Sequence, residues 1–179
     1  MGSPPSKPWQ HIMDDAIALH WPDDGARVLH LCQQARDYIE FETGDAPDMA
    51  YVKETMTDAP PTVPTDQLWC WGHLGQDGAL DGIATCLKGY YEANEWYLGL
   101  LLLAPAARAS GLGRRMAQHV IDQARADNAT CLRLAVLDTN IRARAFWRRL
   151  NFRHEKSTSI GDGQLRHVHR MNFDREYIQ

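Results

Sequence analysis

Apolar and polar positions along the 179-residue chain follow two periods, one of strands and one of helices. "AIALHW" (residues 16–21) alternates, with Ile17, Leu19 and Trp21 on one face, and predicts a strand that Pro22 ends. From Gly25 to Phe41 the apolar residues Val28, Leu31, Ala35, Tyr38 and Ile39 recur at helical spacing. One helix is expected there, capped by Asp23 or Asp24. "TGDAP" breaks the pattern, and a short second helix is expected to start at Pro47. "DAPPTVPTD" reads as a loop. "QLWCWGHL" and "ALDGIATCLKGYY" predict an antiparallel hairpin turned at Gln76-Asp77-Gly78, followed by a strand in "EWYLGLLLL".

A helix from Gly111 to about Ala126 would bury Leu112, Met116, Val120, Ile121 and Ala124. "CLRLAVLD" reads as a strand and "NIRARAFWRRL" as a helix. "FRHEKSTSI" and "QLRHVHRMNF" read as a closing hairpin turned at Gly161-Asp162-Gly163. The order β-α-α-β-β-β-α-β-α-β-β predicts an α/β fold (an α+β mixed sheet) with helices on both faces. Residues 1–15 read as an N-terminal tail and residues 16–179 as one domain.

Several classes are excluded at this point. The longest apolar run, Leu98 to Ala104, is strand-sized and far short of a membrane span. "MGSPPSKPW" lacks the apolar core of a signal segment. Cys32, Cys70, Cys86 and Cys131 are widely spaced, each within an apolar segment, and form no zinc pair or C-x-x-C site. Buried, reduced thiols in a cytoplasmic protein are therefore expected. His167 and His169 share a strand face without the further ligands a metal needs, so no metal site is expected.

Net charge is −4, but it is divided unevenly. Residues 1–104 hold 5 Lys+Arg against 16 Asp+Glu, and residues 105–179 hold 14 against 7. The halves therefore carry −11 and +7. Either two solvated faces account for this, or a basic half holds a polyanion while an acidic half attracts a cation.

Within the basic half, "PAARASGLGRRMAQHV" (residues 105–120) surrounds a glycine-rich helix start with Arg108, Arg114 and Arg115. Cations there oppose the helix dipole by about 0.3–1 kcal/mol each, which a bound anion would reverse. No Gly-Lys-Ser/Thr follows, which excludes a Walker loop, and Gly111 and Gly113 alone do not make a dinucleotide fingerprint. The N–H groups of residues 109–114 at a helix N-terminus form a cradle suited to pyrophosphate, or else a solvated glycine-rich helix start.

"LGLLLLAPAARASGLGRR" closely resembles the acyl-CoA-binding motif of the GNAT superfamily of N-acyltransferases, in which a strand is followed by Arg/Gln-x-x-Gly-x-Gly/Ala. Arg108, Gly111 and Gly113 fill the defining positions. "NIRARAFWRRLNF" resembles the second signature, N-x-x-A-x-x-F-Y-x-x-x-G-F, through Asn140, Ala143, Phe146 and Phe152. The resemblance implies a GNAT-like fold and acetyl-CoA as co-substrate. It implies that cofactor contacts come from Leu101, Leu102 and Leu103, from Arg108, Ala109, Ser110, Gly111, Leu112, Gly113 and Arg114, and from Asn140, Ala143, Phe146 and Trp147. Arg144 or Arg148 would add charge for the phosphates. Trp147 stands where most members carry a Tyr that protonates the leaving thiolate, and an indole cannot do this. Asn151 replaces the usual Gly and tolerates the same left-handed turn.

The resemblance also fixes where the chemistry is sought. A free N–H on strand 98–103, where the family has a bulge, would bind the carbonyl oxygen as charge develops. The family often places a Glu at the position of Tyr97. Glu95, two residues earlier on the same strand face, is the expected base beside Tyr97. Tyr38, Glu42, Tyr51 and Glu54 are expected to line a cation-friendly pocket, with core packing as the alternative for both tyrosines. These features predict transfer of an acetyl group to a primary amine on a small cationic molecule, by a monomer or homodimer that needs neither nucleic acid nor membrane. A protein lysine or N-terminal acetyltransferase, and an acyl-CoA-binding regulatory module without turnover, fit the same residues.

Overall fold

The computed structural model describes residues 16–173, so the expected tail at residues 1–15 lies outside the described residues. Seven strands form one sheet: β1 (Ala16–Ala18), β2 (Leu68–Leu74), β3 (Leu80–Lys88), β4 (Glu95–Leu103), β5 (Cys131–Leu137), β6 (Arg153–Ile160) and β7 (Gln164–Asn172). Their spatial order is β1-β2-β3-β4-β5-β7-β6, and only β4 and β5 run parallel. Five helices pack on it: α1 (Gly25–Gln34), α2 (Arg36–Thr43), α3 (Met49–Thr57), α4 (Leu112–Ala126) and α5 (Ile141–Arg149). The mixed sheet with helices on both faces is as expected from the sequence, with one helix more.

Two apolar cores flank the sheet. On one face α4 buries Leu112, Met116, Val120, Ile121 and Ala124, together with Ala117, against Trp96, Leu98, Leu132 and Leu134. On the other, Val28, Leu31, Cys32, Ile39 and Val52 of the first three helices, with Ala35 between α1 and α2, pack on Ile83, Leu100 and Leu102. All four cysteines are free and buried, and burial pushes the Cys32 thiol up to about 11.

Three expectations at the N-terminal helices need correction. The single helix over residues 25–41 is broken at Ala35, whose φ of −94° and ψ of 26° leave the helical region. No Gly or Pro marks the break. It is set by packing, since Ala35 and Ile39 are both fully buried in the same core as Leu31. Asp24 does not cap α1 with its side chain; its Oδ2 accepts the N–H of His20 behind it at 2.8 Å. The helix expected at Pro47 starts at Met49, because Asp48 accepts the Tyr51 N–H at 2.8 Å and is itself the cap.

Candidate active site

The site begins with a fault in the sheet. Thr85 pairs with Leu100 and Cys86 with Leu98, so Gly99 is the extra residue of a β-bulge. The bulge turns Leu100 and Leu102 into the core under α1–α3 and leaves Leu101 and Leu103 against the α4 core. On its other side, β4 pairs with β5 only from Glu95–Cys131 to Leu98–Leu134. Beyond Leu98 the two strands part, and a cavity of about 510 Å³ opens between them.

This first cavity is lined by Leu101 and Leu103 of β4, residues 135–137 of β5, the loop leading into α4, and Asn140, Ala143, Phe146 and Trp147 around α5. Ala109 (φ 61°) and Gly111 (φ 88°) hold the loop in left-handed conformations. The N–H of Leu112 is taken by the Ser110 hydroxyl at 3.3 Å. Those of Gly113 and Arg114 lie in the first turn of α4, where no carbonyl four residues back belongs to the helix. A Cβ on Gly113 would lie 3.2 Å from Leu103 Cδ1 and 3.8 Å from the Phe146 ring. Backbone donors, glycines and the arginines Arg108, Arg114, Arg142 and Arg149 therefore line one cavity.

Eleven of the fourteen expected cofactor residues line this cavity, and three do not: Leu102, Ser110 and Leu112. Strand alternation buries Leu102 in the opposite core. Leu112, the first residue of α4, points into the sheet, and the Ser110 hydroxyl turns back to the Ala107 carbonyl at 2.6 Å. Arg144 is paired with Asp138 at 3.1 Å, and neither it nor Arg148 lines the cavity. Arg142 and Arg149 take that place. Their spacing around Phe146 is i, i+4, i+7, a helix-face signal that the sequence carried. Asn140 caps α5, its Oδ1 accepting the Ala143 N–H at 3.0 Å. Asn151 adopts φ 68°, as expected at a family glycine.

Trp147 lines the cavity yet is 7% exposed, with its ring centroid 4.8 Å from that of Phe146 and 5.3 Å from that of Phe152. It is a packed wall of the cavity.

A second cavity of about 300 Å³ lies on the side of α2 and α3. Glu42, Tyr51 and Glu54 line it, as do Asp58, Thr43, Thr55 and Leu87. The two cavities share Glu42, Gly99 and Leu100, so they meet at the β4 bulge. Tyr38 lines the first cavity and Tyr51 the second. Desolvation pushes the Glu42 carboxyl above its ordinary range, partly opposed by a hydrogen bond from Tyr38 and by the charge of Arg166. Burial likewise raises the Tyr51 hydroxyl to about 12, with Glu42 adding to the effect.

The structure does not bring the expected base to either cavity. Glu95 is 7% exposed and ion-paired through Oε2 to Arg133 and through Oε1 to Arg170 at 3.5 Å. Arg133 also binds Glu155 at 2.8 Å and stacks over the Tyr91 ring. Glu95 stands at the start of β4, before the bulge, and its two arginines come from β5 and β7. Tyr97 shares its strand face but lines neither cavity; its ring packs against Tyr90 at 4.8 Å, and burial raises its hydroxyl strongly. Among the described residues no helix is long and apolar enough to cross a membrane, and no three His, Cys, Asp or Glu side chains converge as a metal site.

A bulged central strand, a splayed parallel pair and a glycine-rich loop with backbone donors at the opening of α4 are the features expected of an acyl-CoA-dependent transferase. The model of the acetyltransferase (GNAT) family matches residues 34–152, and the chain belongs to that family. It is an acyltransferase with acetyl-CoA as its co-substrate. No curated protein matches the chain by sequence. Among solved structures, an acetyltransferase from Thermus thermophilus is similar, with a TM-score of 0.71 and 19% identity over 91% of this chain and 99% of that one. The ribosomal-protein-S18-alanine N-acetyltransferase of Escherichia coli is similar at a TM-score of 0.65 and 17% identity, over 92% and 97% of the two chains. An aminoglycoside acetyltransferase in complex with coenzyme A gives 0.69 and 15%, over 88% and 93%. At these identities the likeness concerns the fold.

Proposed function

We propose that this acetyltransferase transfers the acetyl group of acetyl-CoA to a primary amine on a small cationic molecule, within one domain that starts at about residue 16. The observation that carries the reading is the second cavity. It is lined by the carboxylates of Glu42, Glu54 and Asp58, and it meets the first at Gly99–Leu100. In this reading the pyrophosphate rests on the backbone of residues 109–114, with Arg108, Arg114, Arg142 and Arg149 supplying charge. The pantetheine arm runs between the parted strands beside Leu101 and Leu103, and the thioester reaches the bulge. An N–H of the bulged strand, unpaired toward β5, stabilises the oxygen of the tetrahedral adduct. The acceptor enters from the acidic side, where a cation is favoured over a neutral group.

The test is thiol release from acetyl-CoA with three amines of similar length: diaminopentane, pentylamine and aminohexanoate. Diaminopentane should have the highest kcat/KM and aminohexanoate the lowest. Faster turnover of a peptide with a free N-terminus than of diaminopentane would make the acceptor a protein. Acetyl-CoA binding with no thiol release from any amine would make the chain a binding module.

A further inference from the structure

The acceptor amine is an ammonium ion near neutral pH, so a proton must leave it before or as its lone pair attacks the thioester. We infer that Glu42 takes this proton, with Tyr38 as the residue that positions its carboxylate. The inference rests on the acetyl-transfer reading above and assigns a proton acceptor on helix α2, where the sequence pointed to β4.

Position carries the assignment. Of the carboxylates lining the two cavities, Glu42 alone lines both. It therefore lies, with the bulge residues Gly99 and Leu100, on the stretch that the two cavities share, where in this reading the acyl donor and the acceptor meet. Glu54 and Asp58 line only the second cavity. Glu95 lines neither, and both its oxygens are engaged by arginines. Tyr38, one turn before Glu42 on α2, hydrogen-bonds to it and itself lines the first cavity. The sequence on α2 therefore presents a hydroxyl and a carboxylate, four residues apart, to the same junction.

The charged and titratable groups around Glu42 come from four elements. Tyr38 lies on α2, Tyr51 on α3, Tyr97 on β4 and Arg166 on β7. Burial makes Glu42 a stronger base than an exposed glutamate, and the Tyr38 hydrogen bond and the Arg166 charge partly oppose that rise. A carboxyl with raised proton affinity suits a group that must take a proton from the amine and hold it briefly. The ammonium gives one proton to Glu42, the C–N bond forms, and as the C–S bond breaks the nitrogen of the adduct gives its second proton to water. The thiolate leaves with the electron pair and takes a proton from water, and Glu42 returns its own to solvent.

The experiment is the pH dependence of kcat/KM with acetyl-CoA and diaminopentane, alongside carbon-13 NMR titration of glutamate side-chain carboxyls. Glu42→Gln should lower kcat/KM by about 10²–10⁴-fold and abolish the acidic limb, with acetyl-CoA affinity unchanged. Tyr38→Phe should keep the limb and move it to higher pH, because the lost hydrogen bond had favoured the carboxylate. Arg166→Gln should move it the same way. The carboxyl resonance missing from Glu42→Gln should titrate above the ordinary glutamate range. A full acidic limb in Glu42→Gln, or an ordinary titration of that resonance, overturns the assignment. If none of the three amines releases thiol but a peptide with a free N-terminus does, the acceptor reading fails instead, and the acidic limb of the peptide reaction in Glu42→Gln decides Glu42.

Discussion

Arg108 grips Asp37 with both terminal nitrogens, Nη1 to Oδ2 at 2.5 Å and Nη2 to Oδ1 at 2.8 Å, and so ties the loop before α4 to helix α2. The same guanidinium donates to the Leu103 carbonyl at 3.4 Å. Asp37 thus neutralises a charge that lines the first cavity, one residue before Tyr38 and five before Glu42. Asp37 is 62% exposed and Arg108 31%, so the pair contributes little to stability, about 0–1 kcal/mol.

Asp37→Asn should therefore leave the melting temperature nearly unchanged and tighten coenzyme A binding several-fold, since a carboxylate that competes with the pyrophosphate is removed. The gain should shrink as salt rises. Calorimetry at two ionic strengths checks both statements; weaker binding at low salt would show that Asp37 chiefly holds Arg108 in place.

The two loop glycines should fail for different reasons. A Cβ at Gly111 meets nothing within 4 Å, but φ of +88° strains any other residue, so Gly111→Ala should cost about 1–2 kcal/mol of stability. Gly113 is a helical residue whose Cβ would press on Leu103 and approach Phe146. Gly113→Val should fold and lose coenzyme A affinity by at least tenfold. Unfolding curves and calorimetry on both variants separate conformational strain from obstruction.

Glu95 and Arg133 form a structural network. Glu95→Ala should cost about 3–5 kcal/mol because it leaves a buried guanidinium short of a partner. Glu95→Gln should cost less and retain kcat within a few-fold. Urea unfolding and steady-state rates at saturating amine provide the check, and a large fall in kcat with stability unchanged would return the base to β4. The network also sets a pH dependence. Arg133 holds the Glu155 carboxyl below its ordinary range. This contribution is fully present above the unfolded glutamate value near 4.3 and is lost as pH falls through the lower folded value.

Trp147→Phe should preserve turnover within a few-fold and cost about 1–2 kcal/mol, because the indole is packed between Phe146 and Phe152. Normal acetyl-CoA binding with turnover lost in this variant would require a chemical role for the ring N–H.

Local pattern made much of this molecule readable. Alternation located the strands, the helical stripe of Leu112, Met116, Val120, Ile121 and Ala124 located α4, and Arg108-x-x-Gly111-x-Gly113 located the loop that lines the first cavity. What escaped depends on contacts between segments far apart in the chain. The break at Ala35 has no Gly or Pro to announce it. Glu95 shares a strand face with Tyr97, but its arginines arrive from β5 and β7, and strand periodicity says nothing of them. Glu42 was legible as a pocket carboxylate. Its place at the junction of two cavities depends on α2 meeting the bulge at Gly99, a tertiary event.

The acidic side of the junction makes a final prediction about ionic strength. Glu54 and Asp58 are four residues apart on and just after α3, and both line the second cavity. A second cationic group on the acceptor would lie against this pair while the reacting amine lies at Glu42. A unit-charge attraction at about 4 Å is worth roughly 4 kcal/mol at an effective dielectric of 20 and falls toward 1 kcal/mol in bulk water. The advantage of diaminopentane over pentylamine should therefore be about tenfold or more in kcat/KM at low salt. It should shrink as the screening length drops from about 30 Å at 0.01 M to about 8 Å at 0.15 M. Replacing Glu54 and Asp58 together by Gln and Asn should raise KM for diaminopentane and leave that for pentylamine nearly unchanged, with kcat preserved for both. A double variant that loses kcat equally for the two amines, with no salt effect on their ratio in the native protein, would mean that these carboxylates serve the fold of α3 and do not select the substrate.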